Sequence, residues 1–433
     1  MLRTIDLRGR DLSPEELLAA VPRATAARDE ALASAAQLVA DVAADGESAL
    51  RAQAERFDGV TEYDVRVPAE HLDEALAQLD PSVRAALEEA ISRVRAASRA
   101  QVPGPVVTEL GPGARVSQRW QPVRRVGLYV PGGKAVYPSS VVMNVVPAQV
   151  AGVQQIALAS PPQRSHGGRV HPVILAAARL LGIDEVYAMG GAGAIGAFAA
   201  GVASLGLDAV DVVTGPGNNY VAAAKRAVAG RVGTDAEAGA TEILVVADAS
   251  ADPRLIAFDL VSQAEHDEQA AAVLVTDSAE LAAAVDAETR LAASATHHAA
   301  RVGTSLAGPQ SAMVLVDDLA AATAFSNAYA PEHLELHLAD PRPEDFVHAG
   351  AVFVGPDSPV SLGDYLAGSN HVLPTGGQSR YAAGLSAATF LRPQQVIEYD
   401  HAALAEVRDA IVTLADAEQL PAHGEAVTAR FTG

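Results

Sequence analysis

The chain contains no cysteine. That single absence removes disulfides, thiolate metal ligands and a cysteine nucleophile together. Lysine is nearly missing as well, present only as Lys134 and Lys225, so a Schiff-base mechanism has few candidates. Basic residues are outnumbered 53 to 31 by acids, for a formal charge of −22. A surface that acidic repels phosphate backbones and anionic lipids, which makes nucleic acid and membranes poor partners. An anionic cofactor can still bind through local backbone donors and helix ends. Long apolar runs are lacking too. The stretch around Val145 is broken by Asn144 and Pro147, so no membrane span is predicted. The opening Met1-Leu-Arg-Thr-Ile-Asp6 has no apolar export core, and the expectation is a cytoplasmic protein.

Apolar residues make up 49% of the 433 positions, enough for two or more packed units. The first hundred residues read as helices. Ser13-Pro-Glu-Glu16 is a capping-box start with proline at the first helical position. From Pro81 to Ala100, Val83, Leu87, Ala90, Ile91 and Val94 recur at helical spacing. The pattern changes at Val126. Short apolar runs ending in Gly, Pro or Asp then alternate with Ala-rich helical stretches. They are Gly127–Gly133, Val186–Gly191, Val210–Gly217, Ile243–Asp248, Val273–Asp277 and Val352–Pro356. Such alternation predicts βαβ units around mostly parallel sheets, two of them given the length. After Pro393 the chain reads as helical again, through Tyr399 to Leu414.

Several Gly-rich turns fall between a strand and a helix, where backbone donors can face a phosphate. Gly191-Ala-Gly-Ala-Ile-Gly196 fits G-x-G-x-x-G, although every tight strand-to-helix turn favours glycine. Gly215-Pro-Gly-Asn-Asn219 opens a helix over Tyr220–Val228. No acid stands about twenty positions beyond Gly191 at the end of a following strand; Asp211 is too close.

Candidate chemistry gathers in four places. Gln263 and His266 are three apart in an apolar-periodic stretch and can grip one ion; a solvated helix face is the plain alternative. Ala330-Pro-Glu-His333 joins a helical stretch, Asp318–Tyr329, to the strand-like Leu334–Leu338. Its Glu332 and His333 are expected to be exposed to a cleft and suit general acid–base work. The loop Ser361–Gly377 is long, polar and Gly-rich, which usually means function, and it offers Asp364 and His371. Glu418 and His423 lie near the C-terminus. Together these supply nitrogen and oxygen ligands without sulfur, a set that zinc, manganese or cobalt accepts.

In Tyr129-Val-Pro-Gly-Gly133, Gly215-Pro-Gly-Asn218, Ala238-Gly-Ala-Thr-Glu242, Leu260–Asp267, Tyr329-Ala-Pro-Glu-His333, Gly363–His371 and Ala422-His423, taken in order, the chain resembles the histidinol dehydrogenase family nearly end to end. The resemblance implies two Rossmann-like parallel-sheet α/β domains with helical N- and C-terminal segments in an intertwined homodimer. It implies an N-terminal arm at 1–24, a substrate and zinc domain at 25–126 plus 239–380, an NAD domain at 127–238, and a segment at 381–433 crossing to the partner. Zinc ligands then fall on Gln263, His266, Asp364 and His423, and general bases on Glu332 and His333. Substrate contacts fall on Thr241, His371 and Glu418, besides His333 and the zinc shell. Cofactor contacts fall on Tyr129, Gly193 and Asn218. His423, Glu418 and His371 would serve the partner's site.

Two positions depart from the family. Gly193 stands where it usually has glutamine, so backbone contact substitutes or NAD binds more weakly. Ala240 replaces the usual proline beside Thr241. The implied reaction is oxidation of L-histidinol to L-histidine with two NAD in turn. Without a cysteine, the aldehyde must be oxidised as its hydrate. That chemistry asks for a base to activate water and a base to take the alcohol proton. A zinc hydrolase using Glu332, or a non-catalytic metal- or nucleotide-binding scaffold, are the rival readings; both leave the cofactor turns or the bases without a use.

Overall fold

The computed structural model describes residues 2–23, 28–132, 135–236 and 239–432. Lys134, Gly133 and Ala238 of the motifs above, and the domain boundaries drawn at 24/25 and at 238, fall outside them. The chain forms two compact units, residues 1–101 with 123–390 and residues 102–122 with 391–433.

The first unit begins with β1 (Arg3–Asp6), α1 (Pro14–Ala20), α2 (Arg28–Asp45), α3 (Glu47–Asp58), α4 (Ala69–Gln78) and α5 (Pro81–Gln101). Ser13 caps α1 in the predicted capping box, accepting from Glu16 N while the Glu16 carboxylate accepts from Ser13 N. The second unit starts with a hairpin of β2 (Val106–Gly111) and β3 (Ala114–Pro122).

Back in the first unit, one alternating series runs β4 (Arg125–Tyr129), α6 (Pro138–Ala151), β5 (Gln155–Ser160), α7 (Pro172–Leu180), β6 (Val186–Ala188), α8 (Gly191–Ala200), β7 (Val212–Thr214), α9 (Asn219–Val228) and β8 (Gly233–Thr234). These strands form a five-stranded parallel sheet in the order β6-β5-β4-β7-β8. A second series runs β9 (Glu242–Ala247), α10 (Pro253–Ala264), β10 (Ala271–Thr276), α11 (Ala279–Ala295), α12 (Ala299–Ala307), β11 (Ala312–Leu315), α13 (Leu319–Tyr329), β12 (His333–His337), β13 (Ala351–Val354) and α14 (Val360–Tyr365). With β1 at its edge it builds a six-stranded parallel sheet, β1-β11-β10-β9-β12-β13.

The fold is thus the α/β architecture with two parallel sheets that the alternation predicted. β4, β9, β10, β11 and β12 are buried along their whole length. Sheets covered on both faces require that, and it explains why residues 243–247 and 273–275 read as unbroken apolar runs; β12 is buried as well but alternates His, Leu, Glu, Leu, His. Fully burying each such Val, Leu or Ile contributes about 1.5–3 kcal/mol. The helices at 28–101 pack on the five-stranded half: α2 lies on α8 and α9, α4 on α7, and α5 on α6. Their expected grouping was with the six-stranded half. Ala31, Ala35, Val42, Ala49 and Leu50 share one core with Ile195 and Phe198 of α8, so apolar complementarity with α8 decides their place.

The second unit continues with β14 (Leu391–Tyr399), α15 (His401–Ala417) and α16 (Pro421–Thr428). β14 pairs antiparallel with β3 in the sheet β14-β3-β2, where a helix was expected through Tyr399. Pro393 is tolerated because β14 is an edge strand and needs no donor there. Most of its residues are exposed, and the pairs Gln394-Gln395 and Val396-Ile397 break a clean polar–apolar alternation. Among the described residues, no helix is long and apolar enough to cross a membrane.

Candidate active site

β12 presents two chemically different faces. Leu334 and Leu336 enter one apolar core, which leaves His333, Glu335 and His337 on the opposite face by strand alternation. β12 pairs with β9 so that His333 lies opposite Ile243. The starts of these two neighbouring strands therefore bring Thr241 and Glu242 beside Glu332 and His333.

Glu332 and His333 are both buried, at 5% and 4% exposure, not exposed as the junction suggested. The chain reaches them through Ala330, a non-glycine residue in the left-handed region at φ 53°, which ends α13. Glu332 Oε2 accepts from Thr241 Oγ1 at 2.6 Å and from Glu242 N at 2.9 Å. Burial nevertheless pushes its carboxyl up to about 7. His333 Nδ1 lies 3.0 Å from the Glu242 carbonyl, which can only accept, so Nδ1 carries the proton and Nε2 keeps a lone pair. Nε2 has no hydrogen-bond partner among the described residues.

Thr241 links this pair to the next expected site residue. Its hydroxyl accepts from Gln263 Nε2 at 2.6 Å while donating to Glu332. The Gln263 amide is thereby oriented, with its nitrogen committed and its carbonyl oxygen left as a donor atom for another group. Gln263 is buried in the last turn of α10, which stops at Ala264, so His266 stands just beyond the helix instead of on its face. Burial holds the His266 imidazolium below its usual range; the charge of Asp364 opposes this and that of His333 adds to it. Asp364 lies in α14, since the first part of the expected long loop is helical.

His371 is fixed within its own chain. Its Nδ1 lies 2.9 Å from the Asp364 carbonyl and its Nε2 3.1 Å from Ser140 Oγ. The carbonyl makes Nδ1 the donor, so Nε2 accepts from the Ser140 hydroxyl. Glu418 and His423 belong to the second unit. Glu418 ends α15, His423 sits in α16, and both are exposed.

The residues expected to contact a cofactor occupy the other sheet's carboxyl edge. In the order β6-β5-β4-β7-β8 the direction of winding reverses between β4 and β7, the switch point at which such sheets bind ligands. Tyr129 ends β4, and Thr214-Gly-Pro-Gly-Asn218 leaves β7. The two turns touch: at Gly215, φ +123°, a Cβ would fall 1.9 Å from Tyr129 O, so only glycine fits. Asn218 caps α9, accepting from Tyr220 N and Val221 N. Lys225 Nζ donates to Gly215 O at 2.5 Å and pairs closely with Asp235, whose Oδ2 accepts from Gly215 N at 2.8 Å. That buried lysine is engaged in bracing the turn. Tyr129 Oη accepts from Gly191 N at 3.1 Å. Gly193 is buried, and a Cβ there would meet Gln53 Oε1 at 2.4 Å, so this glycine admits the side chain of a helix packed beside it.

Sequence reasoning missed several supporting groups. Arg23 Nε donates to Glu242 Oε1 at 2.6 Å, its guanidinium also reaches the Tyr329 carbonyl, and it stacks 4.1 Å from the Tyr329 ring centre. No local pattern could pair residues so far apart in the chain. Asp259, Glu335 and His337 bring ligand-type atoms within 4.8 Å of one another. Glu335 Oε1 accepts from Val360 N at 2.8 Å at the start of α14. Burial, then the Glu335 charge, pushes the Asp259 carboxyl up. The available hint was spacing: Asp259 precedes Gln263 by one helical turn, and Glu335 and His337 follow His333 on its strand face.

A buried acid–base pair at the adjoining starts of β9 and β12, together with a second parallel sheet that has a Gly-rich switch point, suits an α/β dehydrogenase, and fold and site together define that class. A family model for histidinol dehydrogenase matches residues 21–431. The histidinol dehydrogenase of Leifsonia xyli is 63% identical over 432 residues, 99% of each chain. That of Mycobacterium tuberculosis is 56% identical over 436 residues, 100% of this chain and 98% of the relative. The crystal structure of histidinol dehydrogenase from Elizabethkingia anophelis matches with a TM-score of 0.90 at 30% identity, covering 100% of this chain and 98% of that one. The chain belongs to the histidinol dehydrogenase family.

Proposed function

We propose that this enzyme oxidises L-histidinol to L-histidine through histidinaldehyde and its hydrate, using NAD and zinc, in the last steps of histidine biosynthesis in the cytoplasm. The observation that carries the reading is the hydrogen-bonded series Gln263–Thr241–Glu332 beside the free Nε2 of His333. It couples a group suited to holding a metal to two groups suited to moving protons. The cofactor reading rests on Tyr129 and Asn218 at the switch point, with backbone of the Gly191–Gly193 turn nearby.

The donor set fits zinc: the Gln263 carbonyl oxygen, the His266 imidazole that burial keeps neutral, the Asp364 carboxylate, and His423 from a partner chain. When bound, zinc would orient the substrate through its imidazole and amine, and NAD would accept a hydride at each of two oxidations. The protein's own groups handle the protons. His333 Nε2 takes the proton of the substrate alcohol and later that of the hydrate. Glu332 takes a proton from the water that adds to the aldehyde; its buried carboxyl, at about 7, is basic enough to do so near neutrality. His371 and Glu418 complete the substrate contacts in a homodimer whose C-terminal segments cross over.

The test is the yield of NADH per L-histidinol consumed, measured before and after stripping the metal. Two NADH per substrate, lost on chelation and restored by zinc, is the expected result. No NADH from folded, zinc-loaded protein would overturn the reading.

A further inference from the structure

When a sheet binds a dinucleotide at its switch point, an acid near the end of the second strand commonly accepts the ribose hydroxyls. Here β4 is the first strand of its sheet and β5 is its neighbour on the side away from β7. β5 ends at Ser160 and runs on into Pro161-Pro-Gln163, so it offers no acid.

A carboxylate reaches this corner from another element. Asp58 is the last residue of α3. A Cβ built on Gly190, the residue that opens α8, would lie 2.8 Å from Pro161 Cβ and 3.8 Å from Asp58 Oδ2. The next residue, Gly191, donates to Tyr129 Oη at the end of β4. The ends of β4, β5 and β6 and the Asp58 carboxylate therefore share one corner. Adding to burial, the Asp58 charge raises the Tyr129 and Tyr63 phenols. Asp58 is half-buried, and its carboxylate has no hydrogen-bond or ion-pair partner among the described residues. Burial alone pushes it up to about 6. A desolvated carboxylate without donors is unfavourable, and a ligand with two adjacent hydroxyls supplies the missing donors.

We propose that Asp58 accepts hydrogen bonds from the adenosine ribose hydroxyls of NAD and makes the site select NAD over NADP. The proposal rests on the NAD reading above. A 2′-phosphate would remove one hydroxyl donor and set like charge against the carboxylate.

Calorimetric titration with NAD and with NADP separates the possibilities, using metal-free and zinc-loaded wild type, Asp58→Ala and Asp58→Asn. Wild type is expected to bind NAD at least tenfold more tightly than NADP. Asp58→Ala should weaken NAD by roughly ten- to hundredfold, the range for a hydrogen bond to a charged group. Asp58→Asn, close in shape, should mainly raise NADP affinity. Both should keep wild-type zinc content and, having lost a carboxylate without donors, should melt no lower than wild type at neutral pH. Unchanged NAD affinity and an unchanged NAD-to-NADP ratio in both variants would overturn the assignment. Failure of wild type to bind NAD at all would overturn the cofactor reading as well, and is a separate result.

Discussion

The hydroxyl of Thr241 lies 2.6 Å from the carboxylate of Glu332 and donates to it. A hydrogen bond to the charged form favours that form, so Thr241 holds the Glu332 carboxyl below where burial alone would put it. Thr241→Val should raise it further, by about one to two units for a lost charged hydrogen bond. The acidic limb of the kcat profile should move upward, with turnover near pH 7 falling about tenfold. Thr241→Ser keeps the hydroxyl and should keep the limb. A profile that stays put in the valine variant would show that Glu332 is not the group titrating.

Glu332 itself links rate and stability with opposite signs. Its folded value of about 7 lies above the ordinary 4.5, so the folded state binds this proton more tightly than the unfolded chain does. For this group alone, stability is full below about 4.5 and is lost as pH rises through about 7. The proposed base role needs the ionised form, so water activation should rise over the same interval. Glu332→Gln should slow oxidation of L-histidinaldehyde by about 10²–10⁴-fold and, relative to wild type, melt higher at pH 8 than at pH 5. Melting curves and aldehyde kinetics at both values test the two halves separately.

The difference between what could and could not be read from the chain follows from the range of the interactions. Strands buried on both faces announce themselves, because residues 243–247 and 273–275 need apolar residues at every position. Half-exposed strands do not. β14, with Pro393 and two glutamines, and β1, mostly exposed at a sheet edge, carry patterns too short or too polar to register. Glu332 and His333 were legible as an acid–base pair at a helix–strand junction. Their burial was not, because it depends on β9 pairing with β12 across some ninety residues. The G-x-G-x-x-G match illustrates a different limit. Its Gly193 satisfies the spacing of a phosphate turn, yet the structure uses the missing side chain to seat Gln53.

Arg23 offers a test of long-range support. It pairs with Glu242, also donates to the backbone at Tyr329 and Ala330, and is largely buried. Removing one partner of a buried pair leaves the other charge uncompensated, at about 3–5 kcal/mol. Arg23→Ala should therefore lower stability by that order in chemical denaturation. It should also loosen the start of β9, where Thr241 and the Glu242 carbonyl position the two proposed bases. Arg23→Ala with Glu242→Gln should recover part of the loss, since no uncompensated carboxylate remains. A loss under 1 kcal/mol for the single change would mean that the pair is solvated in solution.

His423 is exposed within its own chain, and in the proposed crossed dimer it completes the partner's zinc site. That arrangement has an arithmetic consequence. His333→Ala and His423→Ala should each be inactive alone, with the first keeping its zinc and the second losing affinity for it. In a hybrid of the two, one site carries both lesions and the other carries neither. Random exchange makes half of the dimers hybrids, so about a quarter of the wild-type activity should return. If each site were built within one chain, every hybrid site would still carry one lesion and none would work. The mixture should therefore be assayed after subunit exchange is verified by mass, with each variant alone as the baseline. Activity near a quarter supports crossing, and activity at baseline despite exchange argues for self-contained sites.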